Sequence, residues 1–184
     1  CTYQAVSGSG KDGVEELLQQ SSAYIDQRSI DKKVYPKQIA FNSIPFVDCF
    51  LENNYTREEM KMVWETHKIL DENISVNPTA VRVPVLVGHA ESIYIETEKE
   101  IDIELAKNCL NEFAGISVID DVQEVDFPTS FEHGHGTDDV YVGRIRKGLS
   151  KNNSLNLWVV ADNVRKGAAL NSIQIAENLV GSEM

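Results

Sequence analysis

The chain of 184 residues carries 17 Lys and Arg against 29 Asp and Glu, a formal net charge of −12. With 42 % hydrophobic and 25 % charged residues it has the balance of a folded globular domain with a sizeable core, which excludes a disordered chain. Net acidity without a long Lys/Arg run excludes a surface that tracks nucleic-acid phosphates, and apolar runs such as Leu157 to Ala161 are too short to span a bilayer, so neither nucleic acid nor membrane is an expected partner.

Thr2 to Gly13 reads as a Ser/Gly-rich turn leading into a helix with Val14, Leu17, Leu18, Ser21 and Ile25 on one face. Residues 31 to 55, with Pro36 and Pro45, read as an irregular connection holding one short strand at most. Thr56 and Glu59 form a capping box for a helix whose stripe is Met60, Val63, His67 and Leu70. Val81, Val83, Val85 and Val87 alternate with Arg82, Pro84, Leu86 and Gly88 as a strand does, with an irregularity near Pro84 and Gly88, and a second alternation runs from Ser92 to Thr97.

Asp102 caps a helix carrying Leu105, Ala106, Cys109, Leu110 and Phe113. Strands are predicted at Ile116 to Ile119, Val140 to Ile145 and Leu155 to Val160, and a last helix over Val164 to Val180. The order implies an α+β fold with a largely antiparallel sheet in one domain, residues 1 to 184.

Three cysteines, Cys1, Cys49 and Cys109, make neither a CxxC pair nor an even framework, so reduced thiols and a cytoplasmic location are expected. Cys49 and Cys109 read as small core residues. The chain opens at Cys1 without a Met and runs straight into a structured pattern, which reads as a piece of a longer polypeptide.

Gly8, Gly10 and Gly13 spell G-x-G-x-x-G, the spacing that brings backbone amides to a pyrophosphate at a helix start. The preceding Cys1 to Ser7 is too polar for the buried strand a dinucleotide fold needs, and Asp31 to Gln38 is no core strand, so the motif reads instead as a Gly-rich helix start with free amides. Glu58 and Lys61 are three apart on one helix face; together they suit a ligand bearing an ammonium and an anion, though spacing alone fits an ordinary solvated face.

Arg82 within a valine-rich strand offers a planar fork for a carboxylate and His89 a base that titrates near neutral pH. Seven residues apart, they converge only if the chain bends at Pro84 or Gly88; the competing reading is a surface ion pair for Arg82 and a backbone-satisfied His89. Glu132, His133 and His135 resemble half of a metal site in a Gly-rich segment without a fixed third ligand, so a polar loop is the reading and no metal is assigned. His67, beside Trp64, reads as a packed helix residue.

Thr2-Tyr3-Gln4-Ala5-Val6-Ser7-Gly8, Glu58-Glu59-Met60-Lys61-Met62, Arg82-Val83-Pro84-Val85, His89-Ala90-Glu91-Ser92, Val142-Gly143-Arg144-Ile145-Arg146 and Asn163 to Ala169 follow one another in the order found in bacterial aspartate-semialdehyde dehydrogenases. The chain resembles the C-terminal substrate-binding and dimerisation domain of that family. The resemblance implies an α+β fold like the C-terminal domain of glyceraldehyde-3-phosphate dehydrogenase, a largely antiparallel mixed sheet with helices on one face. It further implies a homodimer and NADPH-dependent reduction of L-aspartyl 4-phosphate to L-aspartate 4-semialdehyde and phosphate, through a cysteine thioester, toward lysine, threonine and methionine.

By the same resemblance Gln4 orients the substrate in catalysis, Glu58 meets its ammonium, Lys61 its phosphate and Arg82 its α-carboxylate. His89 is the acid/base, and Ser7, Gly8 and Asn163 belong to the NADP site. The family's Asn-Cys-Ser/Thr-Thr nucleophile stretch and its N-terminal nucleotide-binding domain are not in this sequence; Cys1 stands where the family commonly has Ser. The chain alone is therefore expected to be inactive. The alternatives are a free-standing dimerisation or interaction module and a reductase for another acyl phosphate.

Overall fold

The computed structural model describes residues 1–181. The chain divides into two compact units, Cys1–Leu86 and Val87–Met184.

The first unit holds β1 (Thr2–Gln4), a single 3-10 turn (Val6–Ser9), α1 (Gly10–Ile25), α2 (Arg57–Ile69) and β2 (Ala80–Arg82). Thr2 to Gln4 is thus a strand and not the turn its polarity suggests. It pairs in parallel with β2, Thr2 opposite Ala80 and Gln4 opposite Arg82, and the ladder bonds run from Thr2 N to Thr79 O and from Val83 N to Gln4 O. Backbone pairing in a buried place has overridden side-chain propensity here.

The buried face of α1 also departs from expectation. Gly13, Glu16, Leu17, Gln20 and Ala23 face inward, while Leu18 and Ile25 are exposed. The reason is the irregular segment that follows. Glu16 accepts hydrogen bonds from the backbone N–H groups of Lys33, Val34 and Tyr35, and Gln20 accepts from Ile39 and Ala40 while donating to Asp31 O. A loop without a ladder that buries Tyr35, Ile39 and Ala40 needs polar partners for its amides, so the helix beside it turns two polar residues inward. Leu17 then packs with Val6, Tyr35, Ile39, Ala40 and Ile44. A side chain at Gly13 would bring its Cβ to 2.6 Å from Tyr35 Oη and 2.8 Å from Val6 O, so the glycine is there for closeness.

The capping box of α2 forms in both directions: Glu59 N donates to Thr56 Oγ1 and Thr56 N donates to Glu59 Oε2. The second oxygen of Glu59 accepts from Ala80 N at 3.0 Å, which fixes the start of β2 to the first turn of α2. Leu70, expected in the buried stripe, follows the helix and is 72 % exposed.

The second unit holds β3 (His89–Glu96), α3 (Ile103–Glu112), β4 (Ile116–Val118), β5 (Val140–Lys147), β6 (Ser154–Ala161) and α4 (Leu170–Gly181), the last preceded by a π turn over Arg165–Ala169. β3 and β5 flank β6 in antiparallel fashion, and β4 adds to β5 in parallel. Helices and a mixed, mostly antiparallel sheet are what the α+β reading requires. The expected strand through Val87 does not form, since β2 stops at Arg82 and the chain turns until His89, with Gly88 at φ 91°.

Ile103, Ala106 and Leu110 of α3 pack against Val142, Ile145, Leu155 and Leu157. Asp102 caps the helix as expected, accepting from Glu104 N and Leu105 N. Cys109 is exposed, contrary to the core reading, because it precedes Leu110 and so points about 100° away from it around the helix.

Candidate functional site

Four of the expected residues meet in the first unit. Gln4 and Arg82 are register partners in the parallel pair, which sets both side chains on the same face of the strands. Glu58 lies in the first turn of α2, where a carboxylate is favoured by the helix dipole, and Lys61 follows three residues on. Gln4 Nε2 donates to Glu58 Oε1 at 3.1 Å, and Lys61 Nζ donates to Glu58 Oε2 at 2.9 Å. The Glu58 side chain is only 22 % exposed, so this is not the ordinary solvated helix face.

Arg82 is 5 % exposed and its Nη1 donates to Ala5 O at 2.7 Å, which overturns the surface ion-pair reading. Among the described residues the guanidinium makes that one hydrogen bond, leaving donors for a ligand. Its backbone is held on both sides, by Gln4 of β1 and by a bridge to Ile44. The bond from Ala80 N to Glu59 anchors the strand two residues before it, so the capping box also sets where Arg82 sits relative to Glu58.

The charges in this cluster depend on one another. Burial pushes the Glu58 carboxyl up, but hydrogen bonds from Lys61 and Gln4 and the charges of Lys61 and Arg82 outweigh it and hold the group below the usual glutamate range. Lys61 is raised, first by its hydrogen bond to Glu58 against a smaller opposing burial, then by the charges of Glu58, Glu65 and Asp48. Burial lowers Arg82 while Tyr35 and Glu58 oppose that; a guanidinium so placed still carries its charge at neutral pH. The cluster therefore offers two cations, one carboxylate and one amide. A concavity of about 740 Å³ in this unit lies elsewhere, beside Glu16, Gln20, Arg28 and Lys33.

The glycine motif does not form an open anion cradle. Ser7 N donates to Leu86 O, Gly8 N to Ala5 O and Gly10 N to Ser7 O, so the amides expected to be free at Ser7 and Gly8 are committed to the turn. A short strand, β1, does precede the motif.

His89 and Asn163 lie in the second unit. His89, half-buried, is the first residue of β3, opposite Ala161. Asn163 Oδ1 accepts from Gly88 N at 3.0 Å, so Asn163 fixes the turn that delivers His89. Gly88 has no alternative there, since a Cβ would stand 2.7 Å from Ser130 O and the residue has positive φ.

Asp162, which the sequence reading passed over, is 2 % exposed. It accepts from Gly136 N, Val164 N and Arg165 N. Burial pushes its carboxyl up, but those backbone bonds, with the charge of His135, hold it below the usual range. The signal was present: an Asp two and three residues before the backbone groups it caps, at a helical start.

His133 of the expected polar loop accepts through Nδ1 from Thr129 N and packs against Tyr141, while Glu132 accepts from Thr129 Oγ1. Both are structural partners of the loop. His67 Nε2 is 2.8 Å from Ile74 O, to which it donates. Cys49 is half-buried and unpaired in any disulfide.

The family model for the semialdehyde dehydrogenase dimerisation domain matches residues 1–166. The aspartate-semialdehyde dehydrogenase of Shewanella violacea is 56 % identical over 180 residues, 97 % of this chain and 53 % of that protein; that of Bacillus subtilis is 46 % identical over 97 % of this chain and 54 % of its own length. The crystal structure of Vibrio cholerae aspartate semialdehyde dehydrogenase II complexed with ASA superposes with a TM-score of 0.95 at 49 % identity, covering all of this chain and 54 % of that one. The chain thus spans about half the length of the relatives it matches.

Proposed function

Because this chain belongs to the semialdehyde dehydrogenase dimerisation-domain family, we propose that it is the C-terminal substrate-binding and dimerisation half of an aspartate-semialdehyde dehydrogenase. The reaction is the reduction of L-aspartyl 4-phosphate to L-aspartate 4-semialdehyde and phosphate. The observation that carries this reading is Glu58 held by Gln4 and Lys61 beside buried Arg82. One carboxylate, one ammonium and one guanidinium match, sign for sign, a ligand with an ammonium, a phosphate and a carboxylate.

Each side chain has a task in this reading. Arg82 binds the α-carboxylate through its planar fork, Glu58 the α-ammonium and Lys61 the phosphate, while Gln4 orients the acyl group. A carboxylate at Glu58 favours a free α-amino acid over an N-acylated substrate. His89 gives and takes the proton at the reacting carbonyl oxygen.

NADPH, when bound, supplies the hydride. Ser7, Gly8 and Asn163 are the residues of this chain that would help to hold its nicotinamide nucleotide, and Asn163 Oδ1 also keeps Gly88 in place. The thioester-forming cysteine and most of the NADP site belong to a nucleotide-binding domain outside residues 1–184. The protein acts as a homodimer in the cytoplasm, on the route to lysine, threonine and methionine.

Titration calorimetry of the chain with a phosphonate analogue of aspartyl phosphate tests the reading. Arg82→Ala and Lys61→Ala are each expected to weaken binding about tenfold or more, and affinities equal to the parent would overturn the assignment. The chain alone is expected to form no NADPH from the semialdehyde, phosphate and NADP; steady turnover would refute that part.

A further inference from the structure

Both carboxylate oxygens of Glu58 are taken, one by Lys61 Nζ at 2.9 Å and one by Gln4 Nε2 at 3.1 Å. On the reading above, each of these groups is needed elsewhere once ligand arrives: the Lys61 ammonium by the phosphate, the Gln4 amide by the acyl group, and Glu58 by the ligand ammonium. We propose that Glu58 couples the two ends of the ligand, so that anion binding at Lys61 is conditional on a cation meeting Glu58. The proposal rests on the roles assigned to Glu58 and Lys61.

The physical reason is charge balance in a partly closed place. If Lys61 turns to an anion alone, it leaves a carboxylate with a 22 % exposed side chain facing that anion without its cation. An arriving ammonium replaces the lost charge and the lost donors in one step, and releases Lys61 and Gln4 together. Arg82 acts on Glu58 through its charge but not through a hydrogen bond, its guanidinium bonding Ala5 O instead, so it does not replace the donor that Lys61 withdraws. The other carboxylates that act on Lys61, Glu65 of the same helix and Asp48 of the preceding loop, contribute charge, but the ion pair within reach is the one to Glu58. The site thereby discriminates against phosphate and simple carboxylates that lack a neighbouring ammonium, before any chemistry occurs.

The test is a phosphate titration of the 184-residue chain, by calorimetry or phosphorus NMR, alone and with saturating L-homoserine or 4-hydroxybutyrate. These two ligands share the hydroxyl and the carboxylate; homoserine alone has the ammonium. Homoserine is expected to tighten inorganic phosphate binding about three- to tenfold, the worth of a partly exposed ion pair, and 4-hydroxybutyrate to leave it unchanged. In Glu58→Gln, phosphate alone should bind tighter by a similar factor and homoserine should add nothing. Lys61→Met should remove phosphate binding in every case. If binding depends on Lys61 but responds neither to homoserine nor to Glu58→Gln, the coupling is wrong and the phosphate role stands. If Lys61→Met leaves binding intact, or the parent chain binds no phosphate even with homoserine, the role of Lys61 fails and the coupling fails with it.

Discussion

Glu58 shows how much one side chain's state depends on its neighbours. Its folded-state pKa is depressed, so the stability it contributes is present above the unfolded glutamate range and is lost as pH falls through the lowered folded value. Thermal midpoints of the parent and Glu58→Gln should therefore differ most near neutrality and converge toward acid. A difference that stays constant with pH would mean that the ion pair contributes nothing. For His89 the expected signature is kinetic. In the intact enzyme His89→Gln should lower kcat about a hundredfold or more with little change in KM, and unchanged kcat would remove it from the chemistry. At this scale the sequence made the residue types legible but not their states: buried Arg82 and parked Lys61 both read equally well as surface charges.

At the scale of elements, the N-terminus of α2 does two jobs with one residue. Thr56→Ala should cost about 1 kcal/mol, the usual loss of a cap. Glu59→Ala should cost about 2 kcal/mol or more, because it strands Thr56 N and also Ala80 N in a buried place. Denaturant unfolding compares the two, and equal losses would show that the bond to Ala80 carries no weight. The cap itself was legible, as was that of α3, since capping depends on residues three or four apart. The tie to Ala80 was not, because nothing local relates positions 59 and 80. The inward face of α1 was misread for the same reason: Glu16 and Gln20 are buried by the needs of a loop 11 to 20 residues downstream, and an apolar-period rule has no term for that.

For the molecule as a whole, the net charge of −12 means that any anion must be drawn by local cations against a repelling surround. Rising ionic strength therefore has opposing effects, weakening Lys61 and Arg82 while screening the acidic surface. The oligomeric state is expected to be a dimer by size-exclusion chromatography with light scattering; a monomer at high concentration would count against a self-sufficient dimerisation domain.

The sequence by itself determined the α+β class, the caps at Thr56 and Asp102 and the family to which the chain belongs, because these rest on short spacings and residue type. Tertiary structure decided what those residues are bonded to. It made a strand of polar Thr2 to Gln4, closed the Ser7 and Gly8 amides, exposed Cys109, buried Asp162 and brought Gln4, Glu58 and Arg82 into one cluster. The reason is common to all of them. Burial and hydrogen-bond satisfaction are settled between segments far apart in the chain, where one group's need for a partner outweighs another's local preference.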